Sequence, residues 1–229
     1  MYIIVLSIIA GIIGIGAGGL LTVSVGSRTE RITNIFIVFA GGVMTSIVFF
    51  ELLPEARANS DVPTTIIGFV CGILLVFGIE SFSHHKLRSG MLMFFVISLH
   101  NIPEGFALGA TGIYDVSLGF TLAVMISIHN IPVGMAIAAP LLSDGLSKWK
   151  TVLITLSAGA STVLGACAGV FIGDISEITL AFSLALAGGA MLYVVLSEIL
   201  PLSIRMSNGR FPMIVAIAGI AAGLLITGV

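Results

Sequence analysis

The chain has 229 residues, of which 58% are hydrophobic and 9% charged, with a formal net charge of −2 and a mean hydropathy of +1.21. A soluble domain carries about 25% charged residues, so this composition excludes a soluble globule, and no nucleic-acid partner is expected. Apolar stretches recur almost without pause, which predicts a single membrane domain over residues 1–229 with no soluble appendage.

A helix needs roughly 20 apolar residues to cross about 30 Å of hydrocarbon. Runs of that size, read between charged or turn-rich breaks, predict helices over Tyr2–Val25, Asn34–Ala56, Pro63–Ser83, Met91–Ala110, Leu118–Leu141, Trp149–Ile172, Ile178–Pro201 and Phe211–Thr227. The fold class is therefore an all-α polytopic membrane bundle of eight helices. Strands of a membrane barrel would alternate polar and apolar residues, whereas these runs are apolar all round. The first run has neither a basic leader nor a small-residue cleavage site, so it reads as a retained helix. Cys71 and Cys167 fall inside apolar runs and read as small buried hydrophobes.

Basic residues mark the cytoplasmic side of a membrane protein. Of the nine Lys and Arg, Arg28 and Arg31 follow the first helix, Lys86 and Arg88 the third, Lys148 and Lys150 the fifth, and Arg205 and Arg210 the seventh; Arg57 alone sits on the other side. The odd-numbered helices are expected to end in the cytoplasm, which leaves both termini outside, in a multi-pass protein of the inner (plasma) membrane. Asp61, Asp115, Asp174 and Glu177 fall in the opposite loops and make the outer rim mildly acidic.

Two segments repeat. Ile97 to Gly105 in the fourth helix, with His100, Asn101, Pro103 and Glu104, resembles Ile126 to Gly134 in the fifth, with His129, Asn130 and Pro132. Ala40, Gly41, Gly42, Met44, Glu51, Leu53 and Pro54 in the second helix match Ala187, Gly188, Gly189, Met191, Glu198, Leu200 and Pro201 in the seventh, at one constant offset. In each pair the helices run in opposite directions, so both repeats are inverted, the arrangement found in secondary transporters with a mid-membrane site.

His100 and Glu104 are four residues apart and project from one helix face, and His129 lies at similar depth in the next helix. Ionisable groups at that depth cost several kcal/mol unless paired or ligated and are functional by default. Two imidazoles and a carboxylate form a three-ligand metal set with room for exchange. Pro103 and Pro132 free the carbonyls of Leu99 and Ile128 and are expected to kink the helices, and with the Asn101 and Asn130 amides these supply hard oxygen donors. Glu51 and Glu198 are expected to stand in the two vestibules, where a carboxylate lowers the barrier to a cation. His84 and His85, in the loop after the third helix, are candidate collectors of emerging metal.

The His-Asn-x-Pro-Glu-Gly stretch, its His-Asn-x-Pro repeat, the Glu-x-Leu-Pro elements and the eight helices resemble the ZIP (Zrt-, Irt-like) metal transporters, especially their short bacterial members. The resemblance covers the whole chain. It implies movement of a divalent cation toward the cytoplasm, zinc foremost, with iron, manganese, cobalt or cadmium also accepted. It also places metal ligands at His100, Asn101, Glu104, His129 and Asn130. Family members commonly carry a second ligand one turn after the fifth-helix histidine, where this chain has Val133; a glutamate in the sixth helix, where it has Thr162; and often a histidine before the seventh-helix glutamate, where it has Ser197. A single-metal site with Glu104 as its one central carboxylate is therefore expected.

No enzymatic activity and no prosthetic group are expected; the metal is cargo, and the other partner is the lipid bilayer, with a homodimer left open. No P-loop is present, so transport would run without ATP. Two further readings compete: a degenerate member that senses metal without transporting it, and a membrane metalloenzyme, which the absence of a His-Glu-x-x-His motif disfavours.

Overall fold

The structure, a computed structural model, describes residues 2–25, 30–83, 89–114, 116–172, 176–206 and 210–227. His84 and His85 lie outside these, as do Arg28, Lys86 and Arg88, Asp115 and Asp174. The described residues form helices and no strands. We number them α1 (Tyr2–Val25), α2 (30–58), α3 (Val62–Ser83), α4 (Ser89–Tyr114), α5 (Val116–Ser143), α6 (148–172, interrupted at Gly159), α7 (177–206) and α8 (Phe211–Thr227). The first seven are long and apolar enough to cross a membrane, and α8 is an apolar helix of shorter reach. The chain is a multi-pass membrane bundle.

All eight expected helices form, and the largest differences lie at their ends. α2 begins at Glu30, and α7 continues past Pro201 to Met206. Proline removes an N–H and crowds the carbonyl four residues earlier, which normally stops a helix. Here a single π turn precedes each proline, Val48–Leu52 before Pro54 and Val195–Ile199 before Pro201. Leu53 N–H bonds to Val48 O, and Leu200 N–H to Val195 O, so the wider turn carries the chain through the proline. The two π turns occupy equivalent places in the inverted repeat of α2 and α7. A third spans Ile8–Ile13 in α1. By contrast α4 and α5 remain unbroken α-helices through Pro103, Pro132 and Pro140.

Without water to drive helices together in a bilayer, small residues that allow close backbone approach decide which helices pair. A Cβ on Gly105 would lie 2.0 Å from Thr162 O, and one on Gly165 would lie 2.1 Å from Ile102 O, so α4 and α6 meet backbone to backbone. Gly18 does the same to Ile131 O at 2.0 Å (α1 with α5), Gly72 to Leu186 O at 2.0 Å (α3 with α7) and Gly42 to Ala216 O at 2.2 Å (α2 with α8). These pairs sort into two groups, α1, α4, α5 and α6 on one side and α2, α3, α7 and α8 on the other. Every close approach at a described glycine falls within one group. Between groups, α2 packs on α5 and α4 on α7 through buried side chains such as Ile37, Met44, Ile97, Ile137 and Met191.

Candidate metal centre

The polar side chains of α4 and α5 gather inside the first helix group. His100, Asn101, Glu104, His129 and Asn130 are all essentially buried, with exposures of 1%, 0%, 2%, 2% and 0%. Their depth follows from the glycine contacts: Gly105 draws α6 against α4 beside Glu104, and Gly14 of α1 would touch Asn130 Cβ at 3.0 Å if it carried a side chain.

His129 Nε2 and Glu104 Oε2 are 3.2 Å apart, an imidazole N–H donating to a carboxylate across the α4–α5 contact. Asn130 Nδ2 donates to the carbonyl of Ala10 at 2.9 Å, inside the π turn of α1. Asn101, its repeat mate, has no partner for either amide atom among the described residues. Both ring nitrogens of His100, Glu104 Oε1 and His129 Nδ1 are likewise buried without partners there.

Of the expected three-ligand set, Glu104 and His129 are in contact. Among the described residues, no three His, Cys, Asp or Glu side chains stand close enough together to hold a metal ion, so His100 is not drawn in with them. The reason is local: the Glu104 carboxylate is closed onto the His129 ring by their hydrogen bond. A buried polar atom without a partner costs about 1–3 kcal/mol, and here several such nitrogen and oxygen atoms lie on neighbouring turns. Imidazole nitrogen with carboxylate and amide oxygen is a donor set suited to borderline divalent cations.

Glu51 lies on the π turn of α2, half-buried, with Oε2 buried and unpartnered among the described residues. It is within electrostatic range of Glu104 and His129. Glu198 occupies the matching π turn of α7 and is also half-buried. Val133 is fully buried one turn beyond His129, in the apolar core. Thr162 is fully buried against Gly105 and Gly11, so the α6 position lacking a carboxylate does border the site.

One feature went unread in the sequence. Glu80 of α3, 8% exposed, accepts a short hydrogen bond from the hydroxyl of Tyr193 in α7, whose ring meets Phe77 edge-on at 6.3 Å and 74°. A carboxylate within an apolar span was the available signal.

Comparison with known proteins shows the family to which the chain is related. The family model described as ZIP Zinc transporter matches residues 84–229. The chain is similar to the zinc transporter ZupT of Escherichia coli O7:K1 (strain IAI39 / ExPEC), 31% identical over 87% of this chain and 84% of that protein. ZupT of Escherichia coli strain K12 / DH10B matches with the same identity and coverage.

Proposed function

This chain belongs to the ZIP zinc transporter family, and from that membership and the buried polar centre we propose that it carries divalent metal, zinc foremost, across the membrane toward the cytoplasm. The observation that carries the reading is the His129–Glu104 contact, surrounded by unpartnered nitrogen and oxygen donors deep in an apolar bundle. In this reading His100, Glu104 and His129 are the ligands, Asn101 contributes its amide oxygen, and Asn130 borders the site. One ion is bound at a time, because Val133 and Thr162 supply no further charge.

Binding requires Glu104 to exchange His129 for the cation and His100 to approach it. That exchange is why the site can load and release: the carboxylate always has a partner, first the imidazole and then the metal, and is never left as a bare buried charge. Glu51 and Glu198 serve as approach and exit carboxylates from the opposite helix group. The division into two glycine-paired groups supports a carrier cycle, since sliding between side-chain surfaces breaks no backbone-to-backbone packing. Both termini lie outside the cytoplasm, an orientation supported by the basic loops. The reaction involves no prosthetic group and no covalent chemistry.

Initial zinc uptake into proteoliposomes, measured for the unaltered chain and for His100→Ala, Glu104→Gln and His129→Ala, tests the proposal. Loss of uptake in all three, with the proteins still folded, is the expected result; near-normal uptake in all three removes it. The absence of charge at Val133 and Thr162 favours a second reading, a metal sensor without flux. Tight zinc binding with no uptake by the unaltered chain would select it.

A further inference from the structure

α2 and α3 are joined by the short turn at residues 59–61, yet α3 packs along α7 and meets α2 mainly at Leu53–Ala58. The divergence leaves a furrow of about 390 Å³ between the two helices, within the roughly 300–1,000 Å³ typical of ligand pockets. Its floor and walls are apolar, formed by Phe49, Leu53, Ile66 and Phe69, and it faces the surface that bilayer would cover, with Phe49 48% and Ile66 56% exposed.

The mouth of this furrow differs from the rest of the apolar surface. Arg57 lines it at the end of α2, in the last turn of that helix's apolar span. One Arg57 N–H donates to Ser60 O, which fixes the side chain beside the furrow and leaves further guanidinium N–H groups to donate. Asp61 stands within electrostatic range of Arg57. Its Oδ1 accepts from Thr64 N–H at 2.9 Å, and its hydrogen bonds to Thr64, the side chain's first, hold its carboxyl below the usual range. A cation at the mouth of an apolar slot thus has an anion within electrostatic range on the adjoining turn.

We infer that the α2–α3 furrow is a seat for a phospholipid with a phosphoethanolamine headgroup, its phosphate on Arg57, its ammonium on Asp61 and an acyl chain between Phe49, Leu53, Ile66 and Phe69. Guanidinium recognises phosphate by parallel N–H donors. A primary ammonium can donate to the Asp61 carboxylate, whereas the trimethylated ammonium of phosphatidylcholine cannot. A second copy of this chain would have to bring a protruding apolar ridge and both counter-charges at one depth; the lipid carries all three by construction. The seat does not depend on the metal-transport reading, and its failure would leave that reading untouched.

The test uses the full chain reconstituted in vesicles of equal parts phosphatidylethanolamine and phosphatidylcholine, released gently and examined by native mass spectrometry. Ethanolamine adducts should outnumber choline adducts several-fold. Arg57→Ala should remove most adducts of both kinds, and Asp61→Asn, which can still cap α3, should retain phospholipid but lose the headgroup preference. Ile66→Trp fills the furrow with a lipid-facing ring, leaves both charges in place and should also remove the adducts. This variant decides the matter should Arg57→Ala fold poorly. Equal retention of the two lipids by the unaltered chain, or adducts that survive Ile66→Trp, would overturn the inference. So would a disulfide-linked dimer formed through Ile66→Cys with loss of bound lipid, which would assign the furrow to a second copy.

Discussion

Asn130 reaches across from α5 to the carbonyl of Ala10 in α1 at 2.9 Å, fully buried, and so joins the candidate metal centre to the π turn of the first helix. Its repeat mate Asn101 has no such tie among the described residues. The two repeated asparagines therefore differ in what they touch. Asn130→Ala should lower thermal stability in detergent, by about 1 kcal/mol on the scale of interhelical hydrogen bonds in membranes, because the Ala10 carbonyl loses its partner. Asn101→Ala should leave the melting temperature near that of the parent and weaken zinc binding. Equilibrium metal binding and thermal melting on the same preparations separate the two, and the reverse pattern would contradict the assignment.

Removing Glu104 or His129 takes away one half of a buried pair. Glu104→Gln and His129→Ala are expected to reduce zinc uptake beyond the roughly 10 to 100-fold typical of groups that only orient ligands. Glu104→Asp, which keeps the charge but shortens the reach, should retain part of the activity. Isotope uptake at several zinc concentrations reads both the rate and the apparent affinity.

Zinc competes with protons for imidazole nitrogen, since only the neutral ring can ligate. Zinc affinity should therefore fall as pH is lowered through the reference histidine pKa of about 6.5 and be nearly constant above about 7.5. Calorimetric titrations across that range test this. Affinity that does not change between about pH 5.5 and 7.5 would contradict ligation by imidazoles that titrate near the reference value.

Val133 stands one turn after His129, fully buried, where the repeat in α4 has Glu104. Val133→Glu supplies a second carboxylate at that depth. We expect tighter zinc binding and a lower maximal transport rate, because conduction needs a well shallow enough for escape. A folded variant with unchanged or weaker affinity would show that Val133 does not face the ion.

Gly105 and Gly72 test the pairing of helices separately from the chemistry. A methyl at Gly105 would strike Thr162 O, and one at Gly72 would strike Leu186 O, each at 2.0 Å, where neither backbone can yield without parting its helix pair. Both Gly105→Ala and Gly72→Ala should lower the melting temperature. Only Gly105→Ala should also impair zinc binding, since it displaces α4 beside Glu104, whereas Gly72 belongs to the other helix group. Binding and melting curves for the two variants supply the comparison.

The helices were legible because apolar length alone marks a membrane span, and the burial of His100, Glu104 and His129 because all three fall in the middle of such spans. The tie from Asn130 to Ala10 was not legible: it joins residues far apart in the chain and depends on a π turn with no proline signal in Ile8–Ile13. Pro201 reads as a helix end in the sequence and Pro54 as an interior residue, since nothing in composition tells whether a helix will widen one turn or stop. Glu80 is visible in the sequence but its pairing is not, because its partner Tyr193 stands on a helix that only packing brings near.

The matched π turns at Val48–Leu52 and Val195–Ile199 also act as phase shifters. Each contains about one residue more than an α-helical turn, so everything beyond it is rotated by roughly 100° relative to an uninterrupted helix. Glu51 and Glu198 lie within the shifted turns, and the faces they present are thereby set apart from the glycine seams earlier in the same helices. Closing either turn to an α-helical one without removing a residue would leave length and hydropathy unchanged, yet it would swing every side chain downstream onto a different face, whereas deleting one residue from the turn would keep them where they are.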